Sequence, residues 1–412
     1  MKNRLKQYKR ALLTSLFGIL IVAIPLEKSC AQSANKDIKD LGLTPPMGWN
    51  SWNWFGKRDI NDKVVREVID AMTTEGLKNA GYTYVIIDGG WRDKKLGPNG
   101  KLLPHPVKFP NGIKVLADYA HSKGLKLGLH TVPGTQDCGG DPVGGYGNEE
   151  VQIKQFVDWG IDFIKLDKCK FSGGWNEELL KDIYLKWGDI IKRSNRDIIL
   201  NISAYEFRDW NPKISQMSRT TYDIAAKITG GASFDYVEKV KNFLSVMAIA
   251  EQNNQSAKYA GPGYWNDPDM LVTGEQGLTL EEQKSHFALW CIMSSPLFLG
   301  NDPRQMTMNE KDIILNKFAI QINQDPTEQG TLIKDNGDTE IWAKKLKNGN
   351  VAVLFLNRSD SVNDIELDLA SIGFSSKVRI FDVYEKKDLG RFSKSVSKKL
   401  KSRSGLFVIV GK

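Results

Sequence analysis

The chain has 412 residues, of which 41% are hydrophobic and 26% are charged, and its formal net charge is +8 at pH 7. This composition excludes a disordered chain, because it supplies enough apolar residues for a sizeable core. The length exceeds what one compact core usually accommodates, so we expect one large domain and a smaller one.

The N-terminal segment 1–31 has the layout of a secretory signal peptide. Five basic residues within the first ten precede the apolar run "ALLTSLFGILIVAIP", and "SCAQ" provides small residues for cleavage after Ala31. The apolar run is too short to span a bilayer comfortably. Acylation of Cys30, as in a lipoprotein, is the alternative, although Glu27 and Lys28 interrupt the apolar approach to that cysteine.

Removal of this segment, which holds six basic residues and one acidic residue, would lower the net charge from +8 to +3. A chain so close to neutral gives no reason to expect nucleic acid as a partner. We therefore predict a secreted or periplasmic protein with no transmembrane segment after signal removal. Residues 32–42 are expected to form a linker to the folded part.

The remaining cysteines predict one disulfide. Without Cys30 the chain keeps Cys138, Cys169 and Cys291, and an odd number in an oxidising compartment indicates one bridge and one free thiol. Cys291 lies within the apolar stretch "FALWCIMSSPLF", so we expect it to be the buried thiol. The candidate disulfide is then Cys138–Cys169, although three pairings are open in principle.

Residues 43–324 alternate short apolar runs with longer helical patterns. Eight runs read as strands, among them "TYVIIDGGW", "LKLGLHT", "DFIKLDKC" and "IILNIS", and helical stretches such as "GIKVLADYAHSKG" stand between them. Strand and helix in turn, eight times over, is the pattern of a (β/α)8 TIM barrel of the α/β class. A doubly wound open sheet is the alternative, but the Gly-rich phosphate turn that would support it is missing.

The pattern changes in residues 325–412 to short alternating runs separated by turn residues, such as "TEIWAKKLKNGNVAVLFLNRSD" and "SGLFVIVGK". Runs of this kind predict antiparallel strands. We therefore expect a small C-terminal antiparallel β-sandwich domain.

Carboxylates recur at the ends of the predicted barrel strands. In "DFIKLD", Lys165 and Asp167 share one face because side chains alternate along a strand, and barrel enzymes do their chemistry at the C-terminal strand ends. Asp88, Asp223 and Asp269 end three other strand patterns in the same way. A single aspartate there is more simply read as a helix cap or turn residue, but four together indicate a site.

Glycoside hydrolysis suits this set, since it requires a pair of carboxyl groups and neither a cofactor nor a metal. A metal hydrolase would require histidine ligands, yet two of the four histidines, His121 and His286, lie in helical patterns. Phosphoryl transfer would require a phosphate-binding loop, which the sequence lacks. Tryptophans beside strand ends would stack on a sugar ring, with ordinary core packing as the alternative. They are Trp49, Trp52, Trp54 and Trp91.

The stretches "PPMGWNSWN", "IKLDKC", "GYWNDPDML" and "SHFALWCIMSSPLFLGNDPRQM" together resemble the retaining α-galactosidases and α-N-acetylgalactosaminidases of glycoside hydrolase family 27. The resemblance extends from residue 43 to the C-terminus. It implies a (β/α)8 barrel followed by a β-sandwich. It also implies an exo-acting hydrolase that releases terminal α-D-galactose from glycans by double displacement.

The resemblance implies roles for individual residues. Asp167 becomes the nucleophile and Asp223 the general acid/base. Cys138 and Cys169 match a family disulfide, the same pair that the cysteine count favours. The residues implied to bind the substrate are Trp49, Asp88, His130, Lys165, Ser203 and Arg219.

These roles require different protonation states of the two carboxyl groups. Asp167 must be ionised to attack the anomeric carbon, and the positive charge of Lys165 would lower its pKa. Asp223 must hold a proton, which requires a dry setting or a neighbouring carboxylate to raise its pKa. A retaining mechanism places the two groups about 5–5.5 Å apart. We therefore expect a bell-shaped dependence of kcat/KM on pH.

Three departures from the family pattern concern specificity. Many relatives carry a second acid and a cysteine where "DGGW" has Gly89 and Gly90. His130 stands where a tyrosine is usual. "NISAYEF" places Ser203 near the position that distinguishes galactose-specific from N-acetylgalactosamine-specific members, with Glu206 as the alternative. β-L-Arabinopyranosidase and α-N-acetylgalactosaminidase are therefore the alternative activities.

The expected partner is an oligosaccharide or polysaccharide with a terminal galactose-like sugar. A catalytically inactive carbohydrate-binding barrel is the alternative from a different functional class. The presence of both Asp167 and Asp223 argues against it, because a binding protein does not require a nucleophile paired with an acid.

Overall fold

The computed structural model describes residues 41–235 and 243–412. The predicted signal peptide, 1–31, and all but the last two residues of the predicted linker lie outside the described residues. Within the described ranges, no helix has both the length and the apolar character that crossing a membrane requires.

The larger part of the chain is a barrel of eight parallel strands in the order β8-β1-β2-β3-β4-β5-β6-β7. The strands are β1 (Met47–Asn50), β2 (Tyr84–Ile87), β3 (Lys126–Thr131), β4 (Phe163–Asp167), β5 (Ile199–Ser203), β6 (Met217–Arg219), β7 (Trp265–Asp267) and β8 (Leu297–Leu299). Leu271, just after β7, donates its amide to Phe298 at 2.7 Å and accepts from Gly300 at 3.0 Å. These bonds join the two outer strands, so the predicted TIM barrel is confirmed.

Helices follow the strands along the chain and cover the outside of the barrel. They are α1 (Trp52–Asp59), α2 (Asp62–Thr74), α3 (Leu77–Ala80), α4 (Lys114–Ser122), α5 (Glu149–Trp159), α6 (Glu177–Arg193), α7 (Val246–Asn254), α8 (Leu280–Ile292), α9 (Met308–Ile314) and α10 (Lys317–Asn323). Polar caps mark several starts. Asn61 caps α2 through the amide of Val64, and Thr279 and Glu282 form a capping box at α8.

The barrel interior is apolar at its floor and ionic above it. The floor cluster consists of Ile86, Phe163, Ile199, Met217, Met270 and Phe298. Gly128 of β3 faces this cluster, and a Cβ there would lie 2.4 Å from Ile86 Cδ1 and 2.8 Å from Phe163 Cβ. Only glycine leaves room for those two side chains. The next inward positions of β2 and β4 carry Asp88 and Lys165, so the side-chain alternation brings charged groups to the C-terminal end.

The C-terminal part is an antiparallel β-sandwich, as predicted. Its strands are β9 (Thr331–Asp335), β10 (Thr339–Lys345), β11 (Val351–Asn357), β12 (Asn363–Asp368), β13 (Val378–Asp382), β14 (Lys387–Phe392), β15 (Ser395–Leu400) and β16 (Ser404–Gly411). Six of them form one sheet in the order β14-β13-β16-β11-β10-β9, and β12 pairs with β15. A separate apolar cluster, including Val353, Phe355, Ile365 and Leu367, lies between the two sheets.

Helix α8 and a buried ion network join the barrel to the sandwich. α8 packs against β10, β11 and β16. Arg358, after β11, donates a hydrogen bond to Glu340 at 2.7 Å. It also donates to both carboxylate oxygens of Asp235 in the barrel, at 2.8 and 3.0 Å. A third ion pair links it to Glu251 of α7. The Glu340 side chain is 0% exposed, so it depends on Arg358 and on Trp342 Nε1 for its partners.

We predict that Arg358→Ala lowers the free energy of unfolding by about 2–3 kcal/mol, because it leaves the buried Glu340 carboxylate without its cation. Arg379→Ala is the matched control, since Arg379 is 61% exposed and its one ion pair among the described residues is with Asp388. The control should cost less than about 1 kcal/mol. Urea unfolding followed by tryptophan fluorescence measures both, and equal losses in the two variants would contradict the structural role of Arg358.

Candidate active site

A cavity of about 510 Å³ opens at the C-terminal ends of the barrel strands. Asp167 at the end of β4 and Asp223 four residues after Arg219 of β6 both line it. Other predicted site residues in its wall are Asp88, His130, Cys138, Lys165 and Arg219. The two aspartates therefore face one shared cavity and not separate ones.

Asp167 is largely buried, and two side chains hold its carboxylate. His130 Nε2 lies 3.2 Å from Oδ2, and Tyr205 donates its hydroxyl to Oδ1 at 3.2 Å. Because an ionised carboxylate only accepts, His130 Nε2 is the donor of its bond. Burial alone would raise the pKa of Asp167, but the bond from His130 and the charge of Lys165 lower the pKa below its ordinary value. The surroundings thus favour the ionised form of Asp167, the form that the role predicted for it requires.

Lys165 forms an ion pair with Asp88 and acts on Asp167 through its charge. Its ammonium donates to Asp88 Oδ2 at 2.8 Å, and Asn50 donates to the same oxygen at 3.0 Å. The Gly89 amide donates to Oδ1 at 2.7 Å. Burial would raise the pKa of Asp88, yet Lys165 and these bonds hold it well below its usual range. Lys165 and Asp88 therefore both remain charged, above the apolar floor of the barrel.

Arg219 joins two further acids on the opposite side of the cavity. Its Nη1 donates to Asp223 Oδ1 at 2.9 Å, and its Nη2 lies 3.1 Å from Asp269 Oδ2. Burial raises the pKa of Asp269 to about 6, although Arg219 counteracts this. The Asp223 side chain is 41% exposed, so the dry setting predicted for it is absent. The carboxylate next to Asp223 is that of Asp269, which shares Arg219 with it.

The predicted stacking tryptophan, Trp49, does not fit the geometry. Its side chain is 0% exposed, packs on Phe55 with ring centroids 6.0 Å apart, and donates to the Asn301 carbonyl at 2.7 Å. The strand alternation turns Asn50 inward and Trp49 toward the helices. Trp52, at the start of α1, lines the cavity instead.

The residues predicted to contact the 2-position of the sugar, Ser203 or Glu206, do not line the cavity either. Ser203 is 1% exposed and is not among the residues of the cavity wall. Glu206 points outward and pairs with Arg208 at 3.2 Å. The wall beyond β5 is formed by Tyr205, because the chain turns there with a positive φ of 64°.

The predicted disulfide Cys138–Cys169 is present, and Cys291 is the buried free thiol. The disulfide ties the loop after β3 to the residue two positions beyond Asp167. Cys169 Sγ also lies within 4.8 Å of the polar atoms of His130 and Asp167. As a disulfide sulfur it is no thiolate ligand, so these three residues do not form a metal site.

One residue of the cavity, Tyr205, was not named from sequence, and two others, Asp269 and Trp52, were named only as members of a group without an individual role. Tyr205 and Asp269 both adopt positive φ, at 64° and 85°, and the sequence carries no signal for a left-handed tyrosine or aspartate outside turn motifs. The position of Asp269 at the end of "WNDPD" was the available signal, but no role followed from it. Trp52 was one of four candidate stacking tryptophans, but the individual role was given to Trp49, because Trp52 stands on the first turn of α1 and not on a strand.

Comparison with known proteins places this geometry in a family. The model of the family described as alpha galactosidase A matches residues 44–325, and that of the alpha galactosidase C-terminal beta sandwich domain matches residues 336–407. An alpha-galactosidase of Cyamopsis tetragonoloba is 38% identical over 370 residues, which cover 88% of this chain and 85% of that protein.

Two further relatives have the same extent. Alpha-galactosidase A of Cellvibrio japonicus is 38% identical over 357 residues, covering 86% of this chain and 85% of that protein. The crystal structure of alpha-galactosidase I from Mortierella vinacea superposes with a TM-score of 0.83 at 31% identity, over 90% of this chain and 98% of that chain. The chain therefore belongs to the alpha-galactosidase A family of glycoside hydrolases.

Proposed function

We propose that this protein releases terminal α-D-galactose from glycans as an exo-acting, retaining glycoside hydrolase, with Asp167 as nucleophile and Asp223 as general acid/base. One observation carries the proposal. A buried carboxylate held ionised by His130 and Tyr205 and a 41% exposed carboxylate bound to Arg219 line the same cavity at the barrel mouth. Two carboxyl groups on one glycosidic bond suffice for this reaction.

In the first step an Asp167 oxygen forms a bond to the anomeric carbon while the bond to the leaving oxygen breaks. The proton of Asp223 goes to that oxygen, so the leaving alcohol departs neutral. Its 41% exposure lets Asp223 reach a leaving group that extends out of the cavity. Asp167, in contrast, is only 14% exposed, which suits an attack on the enclosed sugar.

In the second step Asp223, now ionised, takes a proton from water. The water oxygen bonds to the anomeric carbon, and the ester bond to Asp167 breaks to restore the carboxylate. Each step inverts the anomeric carbon, so the product keeps the configuration of the substrate. The bonds from His130 and Tyr205 stabilise Asp167 as it leaves with its negative charge.

We further propose that the protein acts outside the cytoplasm, with residues 1–31 removed as a signal peptide. The disulfide Cys138–Cys169 supports this, because such bonds persist in oxidising compartments. The domain limits remain as proposed from sequence, with a barrel of 43–324 and a β domain of 325–412, and we assign the latter a structural role.

The substrate is tested with three 4-nitrophenyl glycosides offered side by side: the α-D-galactopyranoside, the β-L-arabinopyranoside and the α-N-acetyl-D-galactosaminide. We expect the galactoside to have the highest kcat/KM. A higher kcat/KM for either of the other two would replace galactose as the substrate, and turnover of none would refute the proposal.

The two catalytic roles are separable by azide rescue. Asp167→Gly should lose on the order of 10⁴-fold in kcat, and added azide should yield β-galactosyl azide, because azide then attacks the substrate directly. Asp223→Ala should keep cleaving substrates with activated leaving groups, and azide should yield the α-azide from the glycosyl-enzyme. The products are distinguished by NMR. Asp141→Asn, a carboxylate of the same wall outside the pair, is the control and should need no azide.

The pH profile tests the surroundings of Asp167. Because its folded pKa is lowered, the acid limb of kcat/KM should lie below the ordinary aspartate range. His130→Phe removes a bond to the ionised form, so the pKa of Asp167 rises and the acid limb moves to higher pH. His121→Ala, whose ring pairs with Asp162 outside the cavity, should leave the limb in place. An unshifted limb in His130→Phe would remove His130 from this role.

A further inference from the structure

Arg92 differs from the other two buried cations of the cavity, Lys165 and Arg219, because no carboxylate of the described residues forms an ion pair with it. It lies just beyond β2, lines the cavity and is 8% exposed. Its one side-chain hydrogen bond within the described residues is from Nη1 to Thr131 Oγ1, at 3.3 Å. A guanidinium has five N–H donors, so most of them are left for a ligand.

Carboxylates near Arg92 compensate its charge incompletely. Those of Asp137, Asp88, Asp167 and Asp141 share the cavity wall and attract it, but none in the described residues lies within 4.0 Å of the guanidinium. Burial lowers the pKa of Arg92 in spite of their attraction. An anion placed against the guanidinium would supply the negative charge that is missing and accept hydrogen bonds from its free N–H groups.

More unpaired cations continue this wall toward the mouth. Lys57, Arg58, Lys94 and Lys108 all line the cavity, and in the ranges 41–235 and 243–412 none of them lies within 4.0 Å of a carboxylate. Lys108 donates to the Lys57 carbonyl, and the Lys57 ammonium extends over Gly139 of the loop after β3. With Arg92 these cations outnumber the carboxylates of Asp93, Asp137 and Asp141 in the same wall, so an anion entering the cavity on this side would meet a net positive charge.

The neighbouring glycines leave this side of the cavity open. A Cβ on Gly89 would lie 3.2 Å from the ring of Trp52, so even a small side chain would cover part of that ring. Gly90 has a φ of 102°, and a Cβ there would lie 2.6 Å from the Lys57 carbonyl oxygen. Backbone packing therefore requires glycine at 90, while glycine at 89 leaves the ring of Trp52 uncovered on that side.

The position of Arg92 around the barrel decides which part of the substrate it meets. Arg92 follows β2, whereas Asp223 follows β6, four strands away in a closed ring of eight. The leaving group is protonated by Asp223 and therefore lies on the β6 side. Arg92 faces the opposite side, which the terminal sugar occupies when its anomeric carbon is at Asp167.

We propose that Arg92 binds an anionic substituent, a sulfate ester or a carboxylate, on the terminal sugar itself, so that the enzyme prefers acidic α-galactosides to neutral ones. This inference rests on the proposed function. Lys57, Lys94 and Lys108 attract the anion, and Arg92 receives it in a two-pronged contact.

The test uses 4-nitrophenyl α-D-galactopyranoside, its mono-sulfates at O3, O4 and O6, and the corresponding α-D-galacturonide. At least one acidic substrate should exceed the neutral one about tenfold or more in kcat/KM at low salt. The advantage should shrink as NaCl is added. The preferred compound distinguishes a sulfate from a carboxylate as the ligand.

The contribution of Arg92 is read as the ratio of the two kcat/KM values. Arg92→Gln should abolish the preference, whereas Lys95→Ala, an exposed lysine outside the cavity wall, should retain it. Sodium sulfate should inhibit wild type competitively against the neutral substrate, and Arg92→Gln less, at equal ionic strength. If Arg92→Gln does not fold, the Lys57→Ala/Lys108→Ala double variant serves, with a reduced ratio expected.

Two outcomes would overturn the inference: neutral galactoside as the best substrate of wild type, or an acidic preference that Arg92→Gln leaves unchanged. Turnover of none of the five compounds is a different result, since it would refute the proposed function and the inference with it.

Discussion

The mouth of the barrel depends on the pairing of charges that are buried over an apolar floor. Lys165 and Arg219 are 9% and 2% exposed, and each is bonded to carboxylates. A single charge left in such a place would cost several kcal/mol, so removing one member of a pair destabilises the charge that stays behind. The charged residues above the floor therefore depend on one another. The positions of their carboxylates follow from the strands and strand-end loops that carry them.

Among these charged residues, unequal access to solvent separates two chemically identical side chains. Asp167 lies behind His130 and Tyr205, which bond to both of its oxygens and favour the ionised form. Asp223 shares Arg219 with Asp269 and faces the open cavity. A hydrolase that acts by double displacement needs this asymmetry, because one carboxylate must attack the sugar while the other exchanges protons with the leaving group and water.

The third buried cation of the cavity, Arg92, forms no ion pair with a carboxylate of the described residues, whereas Lys165 and Arg219 do. It lines the side of the cavity next to Gly89 and Gly90, where the absence of side chains leaves space beside a positive charge. Uncompensated charge in a binding cavity is a means of selecting ligands, because it favours an anion and disfavours a neutral group that leaves it unpaired.

The sequence by itself determined the strand and helix alternation, the β-sandwich, the preference for the Cys138–Cys169 pair and the position of Asp167 at a strand end, because period, cysteine count and motif are local or nearly local properties. It placed Asp223 at the end of a strand pattern, whereas β6 ends four residues earlier, at Arg219. Only the tertiary structure decided which tryptophan reaches the cavity, since Trp49 and Trp52 are separated by a strand-to-helix turn whose direction sequence does not show. The same holds for Tyr205, whose left-handed backbone turns its side chain onto Asp167 and leaves Ser203 buried. These details depend on how eight strands close and how each loop leaves its strand, which no single segment contains.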